Sequence, residues 1–513
     1  MIIKNGIRSE KNGWIYISVK GAPYEIGYAH GYLVASELTD IFKMLKFVMY
    51  QDYGYTYDFF SDYIGEFYGR SVKNNHPELW EEMTGITDGA NAAGCKVSMN
   101  DIIFWNCFAS VDPLFGIAGK LIKTDETLNK KYGHLFADNE DSGSSKTGKE
   151  GGSGGDHCTG FMAVGDYTAD GKIVCGHNTF DNFITGQFYN VMLDIKPIKG
   201  ARILMQASPG KVSSETDFYV TSYGFMCTET TIGGFNKFEL KDPICCRIRK
   251  AMQYGKTLDE ISTHLTTNNS GDYANAWLIG DTKNNIIMRV ELGLKYVNIE
   301  KKTNGYFIGF NGADDPRIRN LECENMGYYD MRRHQGSRRV RLTQLMEEHK
   351  GKINVDIGHS IMGDHYDTYL NELKPSARTC CSHYDLDNRA FVSDPSRPKP
   401  FQPRGALDGK VCDTALCKRM SFSARWGNSC GTPFNKTEFC KRNIIWNEQE
   451  PYLKDRPSQP WTEFTICDSV KDIPGKLTKS LRHIKTGINK TRKKEKKIKE
   501  LIHLKKNKII LDK

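Results

Sequence analysis

The chain has 513 residues, 39% of them hydrophobic and 26% charged, which fits a soluble globular protein of two or three domains. No run of about eighteen apolar residues occurs, which excludes a membrane-spanning helix. The net charge of +9 is local: residues 471–513 carry 16 Lys and Arg against 4 Asp and Glu, the rest 55 against 58, so the body is close to neutral.

In chain order, residues 12–18 alternate like a short strand, and Gly21 to Gly31 leads into a helical pattern that runs to about Val48. Further helical patterns cover 56–72 and 77–93, and the apolar, aromatic stretch from Asp101 to Val111 reads as buried. Residues 1–125 thus form a mostly helical N-terminal region. The Gly- and Ser-rich run from Asn139 to Asp156 cannot bury a core, so 126–157 reads as a disordered linker.

At Cys158 the pattern changes. Strand-like runs follow at 158–165, 172–178, 187–195, 202–207, 217–222 and 225–231, then helical patterns at 243–254 and 257–267, strands at 275–280 and 285–292, and helices at 337–349 and 353–363. Residues 377–440 read as irregular. Many antiparallel-type strands with helices inserted predict an α+β fold, two sheets face to face with helices outside, over 158–468. Residues 469–513 form a basic tail able to meet an anionic surface or a nucleic acid, although it has no interleaved aromatics for base stacking.

A cysteine directly after a disposable linker suits a particular chemistry. If the His157–Cys158 bond is cut, Cys158 carries both a thiol and a free α-amine, whose ordinary pKa of roughly 7.7–8.0 makes it a base near neutral pH. The plainer reading is a buried cysteine after a linker. A hairpin of the first two strands would bring His177 and Asn178 beside the thiol. Elsewhere, Asp364-His365-Tyr366-Asp367 and His383-Tyr384-Asp385-Leu386-Asp387 lack the helical His spacing of a zinc hydrolase and read as structural hydrogen bonding. Cys412 and Cys417 lack a second pair at zinc-finger spacing. No metal and no cofactor is expected. With no apolar signal core after Met1 and mostly reduced thiols by default, the expected location is cytosolic, with lysosome-like or particle-packaged delivery as the alternative.

Five segments occur in an order that resembles the phospholipase B-like family: Cys158-Thr159-Gly160-Phe161, Gly176-His177-Asn178-Thr179, Ser208 through Tyr219, Glu229-Thr230-Thr231, and Asn269 through Trp277. That family belongs to the N-terminal-nucleophile hydrolases, with penicillin acyltransferases and bile-salt hydrolases as relatives. The resemblance implies a four-layer αββα sandwich with a helical N-terminal segment and a zymogen that cuts itself between His157 and Cys158. The cleaved N-terminal fragment is then a partner of the mature enzyme. It further implies Cys158 as nucleophile, Asn275 in the oxyanion hole, and His177 and Asn178 around the amine and thiol. Thr230 and Asp181 are further candidates, and Arg317 would bind an anionic substrate group. The bile-salt type carries an aspartate in an Asn-x-Asp step, whereas here Asn178-Thr179-Phe180 precedes Asp181. The expected activity is hydrolysis of acyl esters, with a phospholipid or lysophospholipid as substrate. The alternatives are an amidase or acyltransferase acting on N-acyl amines or peptides, or a non-catalytic binding relative.

Overall fold

The alternation at 12–18 becomes the strand Trp14–Gly21 in a computed structural model that describes residues 1–137, 158–324, 327–388, 401–468 and 473–477. This strand is internal to a large sheet. Beside it on one side lie Gly6–Lys11 and Ile2–Ile3. On the other follow Val191–Pro197, Ile203–Ala207, Phe218–Thr221, Phe225–Thr231, Asn275–Asp281, Ile286–Leu292 and Val297–Lys302. Neighbours are antiparallel except Trp14–Gly21 and Val191–Pro197, which run parallel.

The second sheet runs Gly305–Gly309, Cys158–Val164, Val174–Asn182, Asp408–Asp413, Ser421–Trp426 and Thr462–Thr465, with Arg404–Ala406 also on Val174–Asn182. Its faces separate by the two-residue period. Phe161, Ala163 and Val174 pack under the helices His334–Glu348 and Val355–Met362, while Met162, Val164 and Cys175 join the core between the sheets. Pro23–Leu33, Ile244–Tyr254 and Leu258–Thr266 pack on the first sheet, and the strand Cys158–Val164 meets Phe225–Thr231 and Asn275–Asp281 across the interior. The order helices, sheet, sheet, helices is the expected αββα sandwich. Among the described residues no helix is long and apolar enough to cross a membrane.

The N-terminal helices pack unusually close. Pro23–Leu33 and Pro77–Ala92 meet through glycines on both: a Cβ at Gly27 would lie 1.9 Å from the Glu82 carbonyl oxygen, and one at Gly31 would lie 2.1 Å from that of Ile86. The helices then hold the loop 208–217. Trp105 Nε1 donates to the Pro209 carbonyl at 2.8 Å, Asn106 Nδ2 to that of Gly210 at 3.0 Å, and the Gly210 amide donates to His30 Nε2 at 3.1 Å. Burial, with Arg249 nearby, lowers His30 to a pKa of about 3 and keeps it a neutral acceptor.

Two differences from the sequence patterns have local causes. Within 126–157, the helix Glu126–Tyr132 forms because Asp125 caps it, accepting the Leu128 amide at 3.0 Å, and Tyr132 stacks edge-on against Phe59. Residues 377–440 supply the strands Arg404–Ala406, Asp408–Asp413 and Ser421–Trp426. Asp408 and Lys410, both buried, break the apolar run that would have announced the second of them. His157, the run 138–156 and most of the basic tail lie outside the described residues.

The close helix contact makes a prediction. Gly31→Ala should cost roughly 1–3 kcal/mol through overpacking and lower the thermal midpoint. An unchanged midpoint would show that the helices separate freely.

Candidate active site

Cys158 is the first residue of its strand and lies on the floor of a cleft of about 760 Å³, although only 2% of its surface is exposed. Register defines its surroundings. Cys158 pairs with Thr179, Gly160 with His177, and Lys410 with His177 on the far side, so Cys158, Thr179, His177 and Lys410 share the inner face. Thr159 and Asn178 pair on the opposite face.

Two contacts define the thiol and its backbone. The Cys158 thiol donates to Glu229 Oε1 at 3.8 Å, and its backbone N–H donates to Asn311 Oδ1 at 3.4 Å. Lys410 Nζ stands 2.8 Å from Asp408 Oδ1 and donates to Thr179 Oγ1 at 2.6 Å, both charges fully buried. Glu229 is itself held: Asn275 Nδ2 donates to its Oε2 at 2.6 Å and Tyr273 OH to its Oε1 at 3.2 Å.

The electrostatics follow from burial. The thiol's pKa is pushed well above its ordinary value by desolvation, then by the carboxylates of Glu229 and Asp217, with Lys410 opposing. Glu229 is raised by burial, and Asp217 is raised by burial and by Glu229, so each carboxyl holds a proton more tightly than a free acid does. Burial lowers Lys410 against the pull of Asp408. His177 is driven well below its ordinary value by burial and by Lys410, so its ring is neutral.

The residues singled out by sequence distribute unevenly. Cys158 lies at the cleft floor, His177 is buried on the same face of its sheet, and Asn275 is linked to the thiol through Glu229. Thr230 is buried beside them, filling the space over Gly309, where a Cβ would lie 2.4 Å from Thr230 Cγ2. Asp181 lines the cleft, accepting from Tyr189 OH at 2.6 Å and from Arg404 at 3.3 Å. Asn178 is turned away: its amide donates to the carbonyls of Met362 at 2.7 Å and Cys380 at 3.0 Å, bracing the outer helix layer. Arg317 stands outside the cleft, half-exposed and paired with Asp315 at 2.7 Å.

Glu229, Asp217, Thr179 and Tyr273 lie inside the quoted segments, where a buried acid next to a candidate nucleophile was a usable signal. Asn311, Asp408 and Lys410 carry no such mark. The cleft walls have two characters. Val48, Phe108, Ile117 and Phe238 are apolar, whereas Lys237 and Arg404 lie among the acids Asp52, Asp112, Asp181, Glu215, Asp272 and Glu324.

A family model described as phospholipase B matches residues 16–309. A phospholipase B from Crotalus adamanteus is 26% identical over 255 residues, which is 44% of this chain and 43% of that protein. An uncharacterized protein from Archaeoglobus fulgidus is 26% identical over 204 residues, covering 39% of this chain and 30% of that one. The match therefore spans less than half the length of either curated relative. Among solved structures, a mutant conjugated bile acid hydrolase from Clostridium perfringens matches 52% of this chain and 89% of its own, at 11% identity and a TM-score of 0.29. At that score the likeness carries no argument of its own.

The carboxyl pair has a pH signature. Both groups bind their proton more tightly folded than unfolded, so the stability they contribute is complete below the unfolded carboxylate range and is lost as pH rises through the raised values. Asp217→Asn should flatten that decline in urea midpoints measured from mildly acidic to mildly alkaline pH. Parallel profiles for variant and parent would rule out a raised Asp217 carboxyl.

Proposed function

This chain belongs to the phospholipase B family, and on that footing we propose that it hydrolyses acyl esters of lipids, with Cys158 as nucleophile and Cys158 as the first residue of the working enzyme. The observation that carries the proposal is the thiol at the start of its strand, on the floor of a cleft partly lined by apolar side chains.

Self-processing comes first. In the uncut chain Glu229 takes the thiol proton, the sulfur attacks the His157 carbonyl, the scissile nitrogen takes that proton from Glu229 and leaves as the amine of Cys158, and water hydrolyses the thioester. Asn311, which accepts the Cys158 N–H in the continuous chain, then accepts from the new α-amine.

In turnover that amine takes the thiol proton. The thiolate attacks the ester carbonyl, the protonated amine returns its proton to the departing alcohol, and water releases the acid from the acyl-thioester. Asn275 has a second amide N–H beyond the one committed to Glu229, and that donor serves the oxyanion. Lys410 favours the thiolate electrostatically. Phe108, Ile117 and Phe238 suit an acyl chain, and Lys237, exposed at the cleft, is better placed than Arg317 to meet an anionic head group.

Intact-mass measurement of the full chain tests the first step: a fragment beginning at Cys158 is expected, and Cys158→Ala should leave a single 58.2 kDa species. An unprocessed parent indistinguishable from that variant would overturn the proposal. With processed enzyme, acyl release from lysophospholipid should exceed release from N-acyl amino acids; the reverse order would identify an amidase. Asn275→Ala should lower kcat by about 10²–10³-fold.

A further inference from the structure

Away from the cleft floor, four side chains with soft donors converge. His365 follows the helix Val355–Met362, Cys381 and His383 lie in the next loop, and Cys430 lies in the loop after the strand Ser421–Trp426. Their donor atoms all fall within 4.8 Å of one another. We propose that His365, Cys381, His383 and Cys430 bind one zinc ion, as a structural site separate from the nucleophile.

The geometry matches a tetrahedral S₂N₂ shell. Zinc–sulfur bonds of about 2.3 Å and zinc–nitrogen bonds of about 2.0–2.1 Å, at the tetrahedral angle, place nitrogen and sulfur about 3.5 Å apart. His383 Nε2 lies 3.4 Å from both Cys381 Sγ and Cys430 Sγ. The two imidazoles are neighbours, with ring centroids 5.0 Å apart, and His365 Nε2 is buried without an ordinary hydrogen-bond partner.

The surroundings are those of a ligated shell. Asp385 Oδ1 lies 3.1 Å from His383 Nδ1, which fixes the tautomer that leaves Nε2 free to ligate. The Thr432 hydroxyl lies 3.1 Å from Cys430 Sγ and can donate to a thiolate. Two thiolates and two imidazoles select zinc over magnesium or calcium. Binding releases the two thiol protons to solvent, with no change of oxidation state. A Cys381–Cys430 disulfide would leave both Nε2 atoms facing an uncharged sulfur pair.

The site would clamp three loops to the catalytic sheet. Cys381 packs against Phe180, which lines the cleft, and its neighbour Cys380 accepts from Asn178. Ser429, beside Cys430, donates to the Met362 carbonyl at 2.7 Å. Sequence spacing announces none of this, because the donors come from separate loops.

The test is elemental analysis of the full chain purified without a metal-affinity step. One zinc per chain is expected, retained in Cys158→Ala and lost in Cys430→Ser and in His365→Gln. Cobalt(II) substitution should give intense visible bands with thiolate charge transfer in the parent and not in Cys430→Ser, and a chelator should lower the midpoint of the parent alone. A metal-free parent that takes up no cobalt would overturn the proposal. So would zinc unaffected by both variants, or a Cys381–Cys430 disulfide in peptide maps of protein purified under reducing conditions.

Discussion

The structure depends on how closely its two sheets approach at one point. Packed sheets ordinarily stand about 10 Å apart, a gap filled by side chains from both. Here Gly160 and Gly309 are cross-strand partners, so one sheet offers bare backbone where the other presents Thr230. The space saved lets Glu229 reach the Cys158 thiol across the interior. Neither glycine is needed for a turn. Their value is the volume they leave empty.

That closeness imposes an electrostatic cost. Asp408, Asp217 and Glu229 are all buried around a single lysine, and burying charge is costly unless it is paired and hydrogen-bonded. The molecule meets the cost by connection. Lys410 binds Asp408 and Thr179, Gln206 donates to the other Asp408 oxygen at 2.7 Å, and Glu229 and Asp217 are both pushed toward their neutral forms. The N-terminal helices belong to the same arrangement, since Trp105, Asn106 and His30 fix the loop that ends at Asp217, itself held at a left-handed φ of 50°.

Much of this was legible in sequence. From Cys158 to Leu292 the strands and helices follow plain apolar periods, and the boundaries agree to within a few residues. The position of Cys158 at the start of a strand was readable from the junction. What was not readable depends on pairing. Asn178 sits one residue from His177, and the two-residue period of a strand sends it through the sheet to Met362 and Cys380. Arg317 resembled an anion site by type, but Asp315, two residues away, satisfies it locally. Lys410 and Asp408 were hidden because they are charged residues at inward strand positions, where an apolar pattern is the only signal a sequence offers.

The strand Trp14–Gly21 lies inside the large sheet, hydrogen-bonded on both sides, and it precedes residue 157 in the chain. A cut between 157 and 158 would therefore leave a two-piece molecule whose pieces share one sheet. The N-terminal piece could not depart without opening the core that Trp14, Tyr16 and Ile17 help to fill. Such a molecule remembers its synthesis: the continuous chain lays the parallel strand in register while a covalent tether still holds both partners. Once the tether is gone, unfolding becomes one-way, and durability is governed by the rate of opening rather than by an equilibrium.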